Sequence, residues 1–190
     1  MKKGLLLVLA LVLAIGLGIG ATLAYLYTDT DPLVNTFEYG DVNIKLEETT
    51  QTFKMIPGND IAKDPIVTVE ANSEACWLFV KVEESANFED FMTYEIASGW
   101  IPYTGENGVY YREVAATTTT AVTFPVLAGK DGFTNGYVTV KPSVTKTMLK
   151  ADGFTAPTLT FTAYAVQKAN VASVTDAWAL VGTQGVPAGN

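Results

Sequence analysis

The chain of 190 residues carries 20 acidic and 12 basic side chains, a net charge of −8, one cysteine and no histidine. Its length suffices for one domain with its own core, and its acidity argues against a nucleic-acid partner, whose phosphates it would repel. The missing imidazole excludes His-ligated zinc sites, Ser–His–Asp triads and Cys–His dyads, and one cysteine excludes an internal disulfide.

Residues 1–24 read as a secretory signal peptide. Lys2 and Lys3 precede a long apolar run, and the small residues of "TLA" (Thr22 to Ala24) follow it. Cleavage is expected between Ala24 and Tyr25. The alternative is a retained anchor, because Leu5 to Leu26 approaches the roughly 20 residues that cross a bilayer.

Residues 25–36 form a distinct segment, "YLYTDTDPLVNT". In an extended chain Tyr25 and Tyr27 share one face, and Leu26, Thr28 and Thr30 the other. Pro32 cannot donate a ladder hydrogen bond and marks an end to pairing, before Leu33 and Val34. Asp29 and Asp31 are weak candidate calcium ligands, since alternate oxygens suit a hard cation. They lack the glycine and distal glutamate of an EF-hand loop, and no other cofactor is indicated.

From residue 37 to 190 alternating strands dominate. "VNIKLEE" places Val42, Ile44 and Leu46 on one face. "PIVTVEA" follows, and then "ACWLFVKVEES", with Cys76, Leu78, Val80 and Val82 on one face and Trp77 and Phe79 on the other. Two apolar faces predict a central strand covered on both sides, with Cys76 as a buried thiol. "GVYYREVA", "TAVTFPVLA", "GYVTVKPSV" and "TLTFTAYAVQ" continue the pattern, separated by Gly-, Asp- and Asn-rich turns. The threonine run Thr117 to Thr120 reads as strand. Two helices are expected, one near Phe88 to Met92 and one over "SVTDAWALV". Ser173 caps the latter, and its stripe of Ala177, Trp178 and Val181 plugs one end of the fold. The prediction is an all-β sandwich or jelly roll with one or two short helices.

Catalytic chemistry finds little support. Glu47 and Glu48, Glu83 and Glu84, and Glu89 and Asp90 are adjacent, and strand neighbours point to opposite faces rather than forming a catalytic pair. No phosphate-binding glycine motif is present. The expectation is that the chain is not an enzyme.

The leader ending "ATLAYLYTDTD", followed by "NTFEYGDVNIKLEE", resembles the TasA/camelysin family of secreted Gram-positive proteins. The likeness continues through "MIPGNDIAKDPIVTVEANSEACWLFVKVEES", with its Pro57-Gly58 turn and Lys63-Asp64 pair, and returns at "LTFTAYAVQKANVASVTDAWAL". It covers both ends and about half the chain. It implies a jelly-roll-like sandwich, export through a dedicated signal peptidase, and a place in the extracellular fibres of a biofilm matrix. It also implies self-assembly: the segment freed at Tyr25 inserts as a strand into the next subunit, with an accessory matrix or anchoring protein as a further partner. The peptidase label carried by some family members conflicts with the absence of histidine. The competing reading is a monomeric surface adhesin that grips carbohydrate with Trp100, Tyr103, Tyr110 and Tyr111, although core or turn packing serves the same four residues.

Overall fold

The computed structural model describes residues 41–49 and 53–184. The expected signal peptide, the Ala24–Tyr25 junction and the segment 25–36 with Asp29 and Asp31 lie outside the described residues. Within them the chain is mostly β-strand in antiparallel sheets, with a few short helices.

The strands are β1 (Ile44–Glu47), β2 (Asp60–Ala62), β3 (Ile66–Val69), β4 (Cys76–Glu84), β5 (Met92–Tyr94), β6 (Ile101–Pro102), β7 (Val109–Val114), β8 (Val122–Pro125), β9 (Tyr137–Val140) and β10 (Leu159–Gln167). The helices are α1 (Phe88–Phe91), α2 (Lys146–Leu149) and α3 (Val174–Gln184). Three sheets have the orders β1-β3-β8, β2-β9-β5 and β10-β4-β7-β6.

The first two sheets join into one layer. β2 runs into β3 through Lys63, Asp64 and Pro65. Lys63 N donates to Gly136 O at 3.2 Å, and Val126 N donates to Pro65 O at 2.9 Å. Residues two apart face the same way along a strand, so β9 and β8 pair in succession with one edge of this run. Pro65 has no N–H and interrupts the ladder at the junction. Beyond β9 and β8, Ile96 bridges Leu127, and Ala97 N and Ala128 N bond Val126 O and Glu95 O at 2.9 and 2.8 Å.

β4 is central, as its two apolar faces require. It pairs with β10 over nine residues, from Leu159↔Glu84 to Gln167↔Cys76, and with β7 on its other side. Cys76, Leu78, Val80 and Val82 pack on Val67 and Val69 of β3, forming the core between the layers. Trp77 and Phe79 face outward and are covered by α3 through Ala177, Trp178 and Val181. A further core gathers Phe88, Phe91 and Met92 against Leu127, Val138 and Val140.

Helix α3 begins as expected, with Asp176 N donating to Ser173 Oγ at 3.1 Å. It does not plug an end of the fold. It lies over the outer face of the β10-β4-β7-β6 sheet, because Trp77 and Phe79 would otherwise meet water. Its Trp178 ring sits 5.0 Å from Phe79 and 5.8 Å from Tyr164 between centroids. Trp178 Nε1 donates to Glu106 Oε2 at 3.0 Å, which satisfies the indole's polar edge.

The threonine run is also corrected: Thr117 to Thr120 follow β7 as a bend, not a strand. The Thr117 hydroxyl donates to Glu70 O at 2.6 Å and accepts from Ser73 N at 2.9 Å, so it clamps the β3–β4 turn from a distance of 44 residues or more. A hydroxyl that satisfies backbone groups of another turn outweighs intrinsic strand preference here.

Cys76 is fully buried, and burial pushes its thiol up to about 11. A thiol-specific reagent at pH 8 is therefore expected to leave the folded protein unlabelled over hours and to label it promptly in denaturant. Rapid stoichiometric labelling without denaturant would contradict this placement.

Candidate assembly groove

The run from Asp60 to Val69 is covered unequally on its two edges. On one edge β9 and β8 pair along both halves. On the other, β1 pairs with the β3 half alone, from Glu47↔Ile66 to Ile44↔Val69. Among the described residues no strand pairs with the second edge of β2. Among the described residues one edge each of β1 and β10 is also without a pairing strand, and β1 and β10 approach without sharing a ladder.

A groove of about 570 Å³ opens where these three edges meet. Leu46 of β1, Ile61 of β2, and Leu159 and Phe161 of β10 line it, with Phe53, Met55 and Met92 closing its walls. Its apolar lining follows from the same alternation that builds the core: each terminal strand turns one face inward, and among the described residues no further strand covers the inward residues.

The groove holds one built charge pair. Lys63 Nζ lies 2.6 Å from Glu48 Oε1, with Lys63 only 8% exposed. The ammonium also sits 5.3 Å from the Phe53 ring centroid and 5.4 Å from that of Phe161. Two aromatic faces and a carboxylate replace the water that a lysine loses on burial. Next to it, Thr49 N and Oγ1 donate to the Asp64 carboxylate at 3.1 and 2.6 Å. Lys63 and Asp64 thus fasten the chain leaving β1 to the link between β2 and β3. The sequence singled out this pair but did not indicate its contacts, because both partners come from 15 residues upstream.

Two other polar settings shape the surroundings. Asp60, at the start of β2, is held below the usual carboxylate range by bonds from Lys130 and Thr139. Burial, followed by a 2.7 Å bond to Glu84, pushes the Tyr94 hydroxyl upward. Both act to fix strand ends.

The adhesin residues are not assembled into an exposed platform. Trp100 is 7% exposed, and its Nε1 donates to Pro125 O at 2.9 Å. Tyr103 and Tyr111 pack with the α3 side of the sheet, while Tyr110 packs with the core between the layers. Strand alternation separates Tyr110 from Tyr111, so the four rings cannot share one surface. Among the described residues no three Cys, Asp or Glu side chains converge as a metal site, and no helix is long and apolar enough to cross a membrane. Comparison with protein-family models, curated proteins and solved structures found no match.

Proposed function

We propose that the chain is a secreted structural subunit that polymerises head-to-tail into extracellular fibres of a biofilm matrix. In this reading the signal peptidase frees Tyr25, and residues 25–36 of one copy insert as a strand into the groove of the next. The domain then belongs to the jelly-roll-like sandwiches, completed in the fibre by the neighbour's strand. The observation that supports this is that, among the described residues, three strand edges without a pairing strand meet around one apolar groove. Open edges are templates for an added strand, whose main chain supplies affinity and whose alternate side chains set register. The Leu26, Thr28, Thr30 face and the Tyr25, Tyr27 face give the segment the alternation such pairing needs. A contact between two different surfaces propagates without closing, which yields a filament rather than a dimer.

Comparing a chain that begins at Tyr25 with one that begins at Asn35 tests this reading. Electron microscopy and size exclusion are expected to show filaments from the first and monomers from the second. Equal assembly of both would remove the donor segment from the mechanism, and monomers from both would remove self-assembly.

A further inference from the structure

β8 and β6 end their sheets at the side away from β1 and β10, and there a cation of β7 meets aromatic residues of both layers. Arg112, the single arginine of the chain, projects from β7, opposite Leu78 of β4. Its guanidinium carbon lies 4.9 Å from the Trp100 ring centroid and 4.2 Å from that of Phe124. Trp100 is fixed by its bond to Pro125 O. Gly99 has φ +87°, and a side chain there would occupy the place of Arg112 Nη2. The guanidinium is therefore confined beside two aromatic rings, with Nη2 fitting where Gly99 lacks a side chain.

No protein atom accepts a hydrogen bond from the guanidinium among the described residues, and no carboxylate pairs with it. Five of the lysines differ in this respect, whereas Lys54, Lys141, Lys146 and Lys150 share with Arg112 the lack of an ion pair among the described residues. Lys45, Lys63, Lys81, Lys130 and Lys168 each contact an acidic side chain. Glu113, the sequence neighbour of Arg112, points to the opposite face and pairs with Lys168. None of the carboxylates among the described residues pairs with the one guanidinium of the chain. Contact with two rings restricts its rotation beforehand, so a ligand has less to order.

We propose that Arg112 is a recognition site for a planar carboxylate, which takes two parallel N–H bonds from the free edge of the guanidinium. Two sources carry that chemistry: an acidic side chain of a second copy, and a small carboxylic acid. Inorganic phosphate also takes paired bonds from a guanidinium, but it carries more negative charge, which a chain of net charge −8 repels more strongly. The proposal does not depend on the fibre reading, because it concerns the ends of the sheets away from β1 and β10.

A single arginine gives a single side-chain Nε–H resonance, so the nitrogen-15-labelled full chain reports on the site directly. Acetate, chloride and inorganic phosphate are each titrated at matched ionic strength. The expected result is a saturable shift of the Arg112 Nε–H and Trp100 indole signals with acetate, at least tenfold stronger than with phosphate and absent with chloride. Arg112→Lys is expected to abolish the Trp100 response while the Trp77 and Trp178 indole signals stay in place. If a second copy supplies the carboxylate, the Arg112 signal also shifts with protein concentration before any acetate is added. If a small acid is the source, that signal is unchanged on dilution. Equal shifts with chloride, equal or stronger binding of phosphate, or a saturable Trp100 response that survives in Arg112→Lys would each overturn the proposal. The wild-type titration decides the matter even where a variant fails to fold.

Discussion

Phe79→Ala is expected to destabilise the domain by about 4 kcal/mol, within the range for removing a fully buried phenyl ring. Phe79 is 0% exposed and stands at the centre of the outer core, with ring centroids 5.0 Å from Trp178 and 6.3 Å from Tyr111. Its loss removes apolar contact area and also leaves a cavity beneath α3 that a central strand cannot collapse to fill. An 11-residue helix has little stability away from its docking face, so α3 should loosen first. Thermal unfolding followed by near-ultraviolet circular dichroism is the check, and a fall in Tm of roughly 10–15 °C is the expected reading. Phe79→Leu, which keeps most of the volume, should lose less than half as much. A Phe79→Ala variant within about 1 kcal/mol of the wild type would mean that the outer face of β4 is not a core.

Lys63→Met is expected to cost about 3 kcal/mol, the lower end for breaking a buried ion pair, because the groove leaves the pair partly wetted. Most of that cost comes from Glu48, whose carboxyl group is left in an apolar groove without the partner that sat 2.6 Å away. The double variant Glu48→Met, Lys63→Met should therefore recover to within about 1 kcal/mol of the wild type, since no unpaired charge remains and two apolar side chains meet the Phe53 and Phe161 rings. Denaturant unfolding of the wild type, both single variants and the double variant closes the cycle and isolates the coupling. Additive losses, with the double variant the least stable of the four, would show that the pair is not coupled. The same set bears on assembly: if the groove accepts a strand, the double variant retains a folded monomer in which the effect of the groove's chemistry on filament growth can be read alone.

The order of the long strands was legible in the sequence because side-chain alternation depends only on local geometry. β4 is the clearest case. Its doubled apolar faces require cover on both sides, and β3 and α3 supply it. Helix α3 was legible through Ser173, Asp176 and its apolar stripe, although not its place on the outer face, which depends on where Trp77 and Phe79 leave an uncovered surface. Strands β2, β5 and β6, of three, three and two residues, escaped detection. Stretches so short have no period to recognise, and they exist as strands only because β9 and β7 offer them partners.

The groove divides in the same way. The Lys63-Asp64 pair attracted notice in the sequence, but Glu48, Thr49, Phe53 and Phe161, which give it its contacts, are brought to it by chain reversals. Arg112 carried no local signal at all. Its contact with Trp100 and Phe124 arises from three separate stretches of chain converging on one place.

By itself, then, the sequence determined an acidic, histidine-free, all-β chain with a doubly covered central strand and a capped C-terminal helix, because composition, alternation and capping act between near neighbours. Only the tertiary structure decided which strand edges remain unpaired among the described residues, which cation rests on aromatic rings and which face the helix covers. Those outcomes depend on contacts between residues far apart in the chain, and each is settled by which apolar surface remains to be buried once the layers have met.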